Sequence, residues 1–253
     1  MPEILSALIK ALRQLEAPQG SKIFCIGRNK TGTTSLKKAL EDFGIRVGCQ
    51  HTAEKLFPHY KERNFQPVIE YCASAEAFQD IPFSLPYTFI ALDQAFPGSK
   101  FILTVRDEDR WFDSLVRFQS KMHGRDGALC TVEDLRNDPY CYKGFVYETK
   151  KYAYCLPDDD LYNREIWIEH YRRHNAMVAD YFRFRPDDLL TIDIGEASSY
   201  KALCRFLGRT PLYERFPWEN QNPPNSRNEK TPLSASPLSE ERASPRIPAV
   251  DES

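Results

Sequence analysis

The sequence has no apolar run long enough to cross a bilayer: a spanning helix needs about 20 mostly apolar residues, and charge interrupts every candidate stretch. The opening MPEILSALIKALRQLEAPQG is too short and too charged for a span and carries no small-residue cleavage site, so a cytoplasmic location is expected. Charge of one sign is missing as well, since 34 Lys and Arg stand against 36 Asp and Glu for a net of −2. Such a balance sets up no global field towards nucleic acid or an anionic membrane; neither is expected as a partner, and any anion site must be local. The seven cysteines are odd in number and form no C-x-x-C pair, and a chain of this size needs no disulfide staples, so reduced thiols are expected. Metal-ligand spacing is also wanting. His170 and His174 stand four apart but lack the glutamate of H-E-x-x-H, and no metal is expected. No internal repeat is present.

What is there suits a globular fold. At 253 residues, 42% hydrophobic and 13% aromatic, the chain can bury a sizeable core in one domain or a domain with an insertion. Ile4 to Leu15 has apolar residues at helical spacing. Lys22–Ile26, Lys100–Val105 and Leu189–Ile194 are short apolar runs of the kind that fill strands covered on both faces, and each leads into a helical pattern. The first is followed by Leu36, Ala39, Leu40 and Phe43, ending at Gly44; the second by Asp107, a good N-cap, then Trp111, Leu115 and Phe118; the third by Tyr200 to Leu207. Strands alternating with helices predict an α/β three-layer sandwich around a mainly parallel sheet. Residues 121–185 show no strand pattern, and Leu161 to Phe184 read as one long helix. The domain is drawn as 1–222 with a helical, aromatic-rich insertion at about 119–160, and the Pro- and Ser-rich residues 223–253 as a disordered tail.

The most telling stretch is GRNKTGTTSL, residues 27–36, between the first strand and its helix. A glycine turn at that junction presents backbone N–H groups and the positive end of a helix dipole, which together make an anion site. Thr31, Thr33, Thr34 and Ser35 add hydroxyls, and Arg28 and Lys30 add charge. Gly27 and Gly32 have P-loop spacing, yet Thr33 occupies the place where a Walker motif G-x-x-x-x-G-K-[ST] needs its lysine. Further on, FILTVRDEDRWFDSL sets Arg106 at a strand end and Ser114 eight residues later in the next helix.

These two elements resemble the donor site of sulfotransferases that use 3′-phosphoadenosine 5′-phosphosulfate (PAPS). Lys30-Thr31-Gly32-Thr33-Thr34 is similar to that family's 5′-phosphosulfate loop, and Arg106 with Ser114 to its 3′-phosphate site. HYRRHNAMVADYFRFRPDDLLTIDI and YKALCRFLG also resemble the closing helix, strand and helix of the bacterial type, so the likeness covers roughly residues 22–222. It implies a P-loop α/β fold, PAPS as donor with no metal, and as acceptor a hydroxyl, or less readily an amine, of a small molecule or glycan such as a carbohydrate or glycolipid. Arg28, Lys30, Thr31, Gly32, Thr33, Thr34, Ser35, Arg106 and Ser114 then bind the donor. On that likeness Lys30 is also catalytic, stabilising the negative charge that develops on the leaving phosphate oxygen. The family's base lies just before a proline, where FQDIPF has Asp80; a free aspartate is a weak base, with a pKa near 3.9, and a turn cap is the plainer role for it. His51, in GCQHTAEKLF after a presumed second strand, is the rival base. A nucleotide kinase or NTPase, which would want a lysine at position 33 and carboxylates for magnesium, is the alternative, and a non-catalytic module on the same fold is a third reading. Trp111, Phe112, Phe118, Tyr140, Tyr142, Phe145, Tyr147, Tyr152 and Tyr154 form either a stacking platform for an acceptor or the core beneath a lid.

Overall fold

Four parallel strands make the sheet: β1 (Ile23–Cys25), β2 (Ala77–Phe78), β3 (Lys100–Thr104) and β4 (Leu189–Ile192), in the order β2-β1-β3-β4. The computed structural model describes residues 20–124 and 127–217. The expected helix at Ile4 to Leu15 and the tail from residue 223 lie outside them. Each strand is short, and register is set by which face each side chain takes. Phe24 and Ile26 of the first run, with Phe101 and Leu103 of β3, pack on one face with Phe78, Phe83, Phe89, Phe96 and Phe182. Cys25 and Ile102 point the other way, into a core with Leu36, Leu40, Ile192, Tyr200 and Leu203. A continuous apolar run therefore feeds two cores, because side chains alternate across a strand. The sheet is covered by helices on both faces, the expected α/β sandwich.

The helices that matter to the site are α1 (Thr33–Asp42), α2 (Gln50–Glu54), α3 (Phe57–Lys61), α4 (Gln66–Tyr71), α5 (Thr88–Ala95), α6 (Glu108–His123), α7 (Val132–Asn137), α8 (Phe145–Ala153), α9 (Arg164–Tyr181) and α10 (Ser199–Phe206). Asp107 caps α6 as expected, its carboxylate accepting from the Arg110 amide at 3.0 Å. The helix expected over 161–184 is α9, shorter at both ends; Asn163 starts it by accepting from the Ile166 amide at 3.0 Å. The presumed strand before His51 is corrected. Only Val47 makes a bridge there, to Ala77, and the strand beside β1 is instead Ala77–Phe78, immediately before Asp80. The segment touches the free edge of β2 for that one step, the Gly48 amide donating to the Ala77 carbonyl at 2.8 Å and the Ala77 amide to the Arg46 carbonyl at 3.1 Å, and a Cβ on Gly48 would lie 2.7 Å from the Phe78 ring.

The insertion contributes to a third core together with α3, α6 and α9. Trp111, Phe112, Phe145, Tyr154, Trp167 and Tyr171 are buried there with Phe57 and Tyr60. Of the nine aromatics singled out above, Trp111, Phe112, Phe145 and Tyr154 are therefore core, whereas Phe118, Tyr140 and Tyr152 are exposed. His174 is a core residue too, its Nε2 2.8 Å from the Ile26 carbonyl and its pKa pushed down to about 3 by burial.

Candidate active site

The glycine loop is locked to the end of β3 by close approach of backbones. A Cβ on Gly27 would sit 2.1 Å from the Thr104 hydroxyl oxygen and 2.5 Å from its carbonyl, so only glycine fits. Thr31 ties the loop across the same gap, its Oγ1 donating to the Arg28 carbonyl at 2.5 Å and lying 2.6 Å from Thr104 Oγ1. Lys30 (φ 73) and Gly32 (φ 99) both take left-handed backbone, which turns the chain sharply into α1. Gly32 packs on Ile194, just past β4. No side chain caps α1. The amides of its first turn, which have no partner within a helix, are thus available to an anion at the positive end of the dipole.

Arg106 leaves β3 beside this loop. Its peptide is clasped by Tyr171 of α9, whose hydroxyl accepts from the Arg106 amide at 2.8 Å and donates to its carbonyl at 2.9 Å. The guanidinium reaches back, Nη1 standing 3.4 Å from the Lys30 carbonyl. Ser114 is buried two turns into α6. On the same helix Trp111 donates its indole N–H to the Asn29 carbonyl at 2.9 Å and stacks on Tyr171 at 4.3 Å. Loop, β3, α6 and α9 thus meet at one corner.

Lys30 is the hinge of the electrostatics. Half-buried, its ammonium lies 3.9 Å over the Phe118 ring, and its pKa is lowered by burial, with the Asp80 charge opposing and the Arg106 charge adding. Asp80 is buried in left-handed backbone (φ 58). Its carbonyl, not its carboxylate, closes the following turn by accepting from the Ser84 amide at 2.8 Å. The carboxylate does not cap that turn: Oδ2 accepts from Gln79 Nε2 at 3.5 Å, and Oδ1 is buried without a hydrogen-bond partner. Burial first, and the charge of Glu54 second, push its pKa up to about 6, against the pull of the Thr33 hydroxyl, Lys30 and Lys37.

Glu54 is the residue that sequence reasoning missed. It is buried at the end of α2, with Oε1 accepting from Gln50 at 2.9 Å and from the Tyr140 hydroxyl at 3.4 Å, while Oε2 has no partner. Burial raises its pKa. Tyr140, in turn, is pushed up to about 12 by burial and by the charges of Glu54 and Asp80. His51, the rival base, is exposed one turn earlier on α2 and acts on Glu54 rather than Asp80. His51, Glu54 and Cys141 each bring one atom within 4.8 Å of the others, the single grouping of this kind among the described residues. Spacing along the chain hid it, because Cys141 arrives from the insertion. The signal for Glu54 was the H-T-A-E step, which puts two polar groups on one helix face beside apolar neighbours.

The structure thus gathers Lys30, Thr31, Gly32, Thr33, Arg106 and Asp80 at the loop and leaves His51 at the rim. Arg28 goes elsewhere: its guanidinium is fully buried against the Ser84 carbonyl, 3.1 Å from Nη1, and the Tyr154 ring, 5.0 Å away.

A family model for the sulfotransferase domain matches residues 22–223. The chain belongs to the sulfotransferase family. No curated protein gives a significant match. The matched span runs from β1 past α10, so every residue of the corner just described lies inside it. It also takes in the aromatic-rich insertion at about 119–160.

Proposed function

We propose that this sulfotransferase moves a sulfuryl group from PAPS to a hydroxyl of a small-molecule or glycan acceptor, in the cytoplasm and without a metal ion. The observation that carries the reading is the position of Lys30, held at the mouth of an uncapped helix between the charges of Asp80 and Arg106. The residues present fit such a donor. Gly27 and Gly32 bring backbone where a Cβ would collide, and the α1 amides supply donors for a 5′-phosphate. Arg106 and Ser114 supply a charge-assisted and a neutral hydrogen bond for the 3′-phosphate.

In the reaction the sulfur–oxygen bond to the 5′-phosphate breaks while a bond from sulfur to the acceptor oxygen forms. Charge grows on the leaving phosphate oxygen, and Lys30 with the loop amides stabilises it there more than in the ground state. The acceptor proton passes to the Asp80 carboxylate, whose raised proton affinity brings it close to neutral pH, where a general base works best. Glu54, buried beside it, sustains that affinity. Among the described residues no helix is long and apolar enough to cross a membrane, which fits a substrate met in water.

Calorimetry with adenosine 3′,5′-bisphosphate and AMP in EDTA tests the donor half. The bisphosphate should bind, and Arg106→Ala should weaken it by one to two orders of magnitude, as a loss of about 1.5–3 kcal/mol implies, while AMP loses little. Equal weakening of both ligands would show that Arg106 does not contact the 3′-phosphate, and binding that required magnesium would favour a kinase.

A further inference from the structure

Arg28 is the one fully buried arginine among the described residues, and its fork is half empty. Nη1 donates to the Ser84 carbonyl at 3.1 Å; Nε and Nη2 are buried with no partner. Those two nitrogens form one edge of the guanidinium, the edge that grips a carboxylate side-on with two parallel bonds. The same chain shows the grip completed elsewhere: Arg172 turns Nε and Nη2 to the two oxygens of Glu108, with 2.7 Å for the first. No carboxylate of the described residues is paired with Arg28. A buried cation without a counter-charge is costly, and arginine cannot escape by losing its proton. Lys150 marks the contrast, for it is buried over the Trp167 ring with a bond to the Gln119 side chain, and burial lowers its pKa to about 7, so it can discharge.

The place of this half-filled fork is as informative as its chemistry. Ser84 joins it to the proposed base: the Ser84 amide donates to the Asp80 carbonyl, and the Ser84 carbonyl accepts from Arg28. Arg28 and Asp80 therefore stand at the two ends of one turn. The guanidinium lies beneath Tyr154, which is followed by the exposed Cys155. We propose that Arg28 anchors an acidic group of the acceptor, an oxyanion held side-on by Nε and Nη2, so that this sulfotransferase acts on an acidic hydroxyl compound. The inference rests on the sulfuryl-transfer reading for the word acceptor.

The test uses the full chain, saturated with adenosine 3′,5′-bisphosphate, and formate as the smallest carboxylate. Sodium formate should raise the melting temperature above sodium chloride at equal ionic strength, and Arg28→Met should abolish that excess. Arg28→Lys, which keeps the charge and loses the side-on pair, should retain only part of it. Methyl sulfate, run alongside, shows whether a sulfate ester or a carboxylate fills the fork better. With PAPS, 4-hydroxybenzoate should be sulfated at least tenfold better in kcat/KM than its methyl ester, and Arg28→Gln should bring the ratio near one. Equal melting in formate and chloride, an excess that survives Arg28→Met, or loss of bisphosphate affinity in Arg28→Met would overturn the proposal; the last would make Arg28 a donor ligand. If the bisphosphate itself does not bind wild type, the sulfuryl-transfer reading fails instead, and the formate comparison on the ligand-free chain still decides whether Arg28 holds an anion.

Discussion

The two halves of the site are built on opposite plans. Around the loop, geometry is fixed by backbone: Gly27 against Thr104, Gly32 against Ile194, Tyr171 clasping both sides of the Arg106 peptide. Around Asp80, Glu54 and Arg28, side chains are buried with polar atoms left over, Oδ1, Oε2, Nε and Nη2 among them. The first plan makes a cradle that needs nothing to hold its shape. The second leaves buried hydrogen-bonding capacity unmet at a cost in stability, and the proposed base and acceptor anchor both draw on it.

The sharpest way to break that contrast is Asp80→Asn. On the proposed mechanism turnover should fall by about 10²–10⁴ while bisphosphate affinity stays. Wild-type kcat/KM should decline as pH drops through about 6, the value to which burial and Glu54 push the carboxyl. Stability should move the other way. The folded-state pKa lies above the usual 3.8, so the charged form is penalised in the fold at neutral pH and the penalty disappears once the group is protonated in both states. Asp80→Asn should therefore melt higher than wild type at pH 8, by up to roughly 3 kcal/mol for such a shift, with the gap closing as pH falls from about 6 towards 4. A variant that melts lower at pH 8 would mean the carboxylate supports the fold.

Lys30→Ala comes next, with an expected loss of about 10²–10³ in turnover, the usual cost of removing one preorganised donor to developing charge. Single-turnover kinetics separate this from binding; a fall confined to donor affinity would make Lys30 a ligand and not a catalyst. The smallest effect belongs to the cradle. Gly27→Ala forces a Cβ against the Thr104 backbone, an overpacking of about 1–3 kcal/mol, and each kcal/mol lowers the melting temperature of a chain this size by about 2–4 °C. Gly20→Ala, with nothing within 4 Å of the added carbon, should leave melting unchanged. Equal melting of the two variants would deny that backbone contact shapes the loop.

The same contrast governs what was legible in the sequence. The loop could be seen because its parts are consecutive: strand, glycines, lysine and hydroxyls within 15 residues, then Arg106 and Ser114 at a fixed step. Asp107 as a cap and the apolar runs of β1, β3 and β4 were visible for the same reason, since local chemistry decides them. β2 was not, because two residues that owe their place to pairing with Ile23 and Phe24 carry no pattern of their own. Glu54 and the true position of the Arg28 side chain were hidden because their neighbours Tyr140, Ser84 and Tyr154 come from distant segments. Long-range burial made those pairings, and spacing cannot report it.

Trp111 gives the molecule an optical gauge of its own. Its indole N–H rests on the Asn29 carbonyl, next to Lys30, and its ring lies flat on Tyr171, the residue that holds Arg106. Indole emission responds to the hydrogen bond at its nitrogen and to neighbouring rings, so a change at the loop or at α9 alters the emission of Trp111 together with Trp167, whose ring centre lies 6.1 Å away. Time-resolved emission on mixing with adenosine 3′,5′-bisphosphate would report a change at this corner without any label attached to the protein.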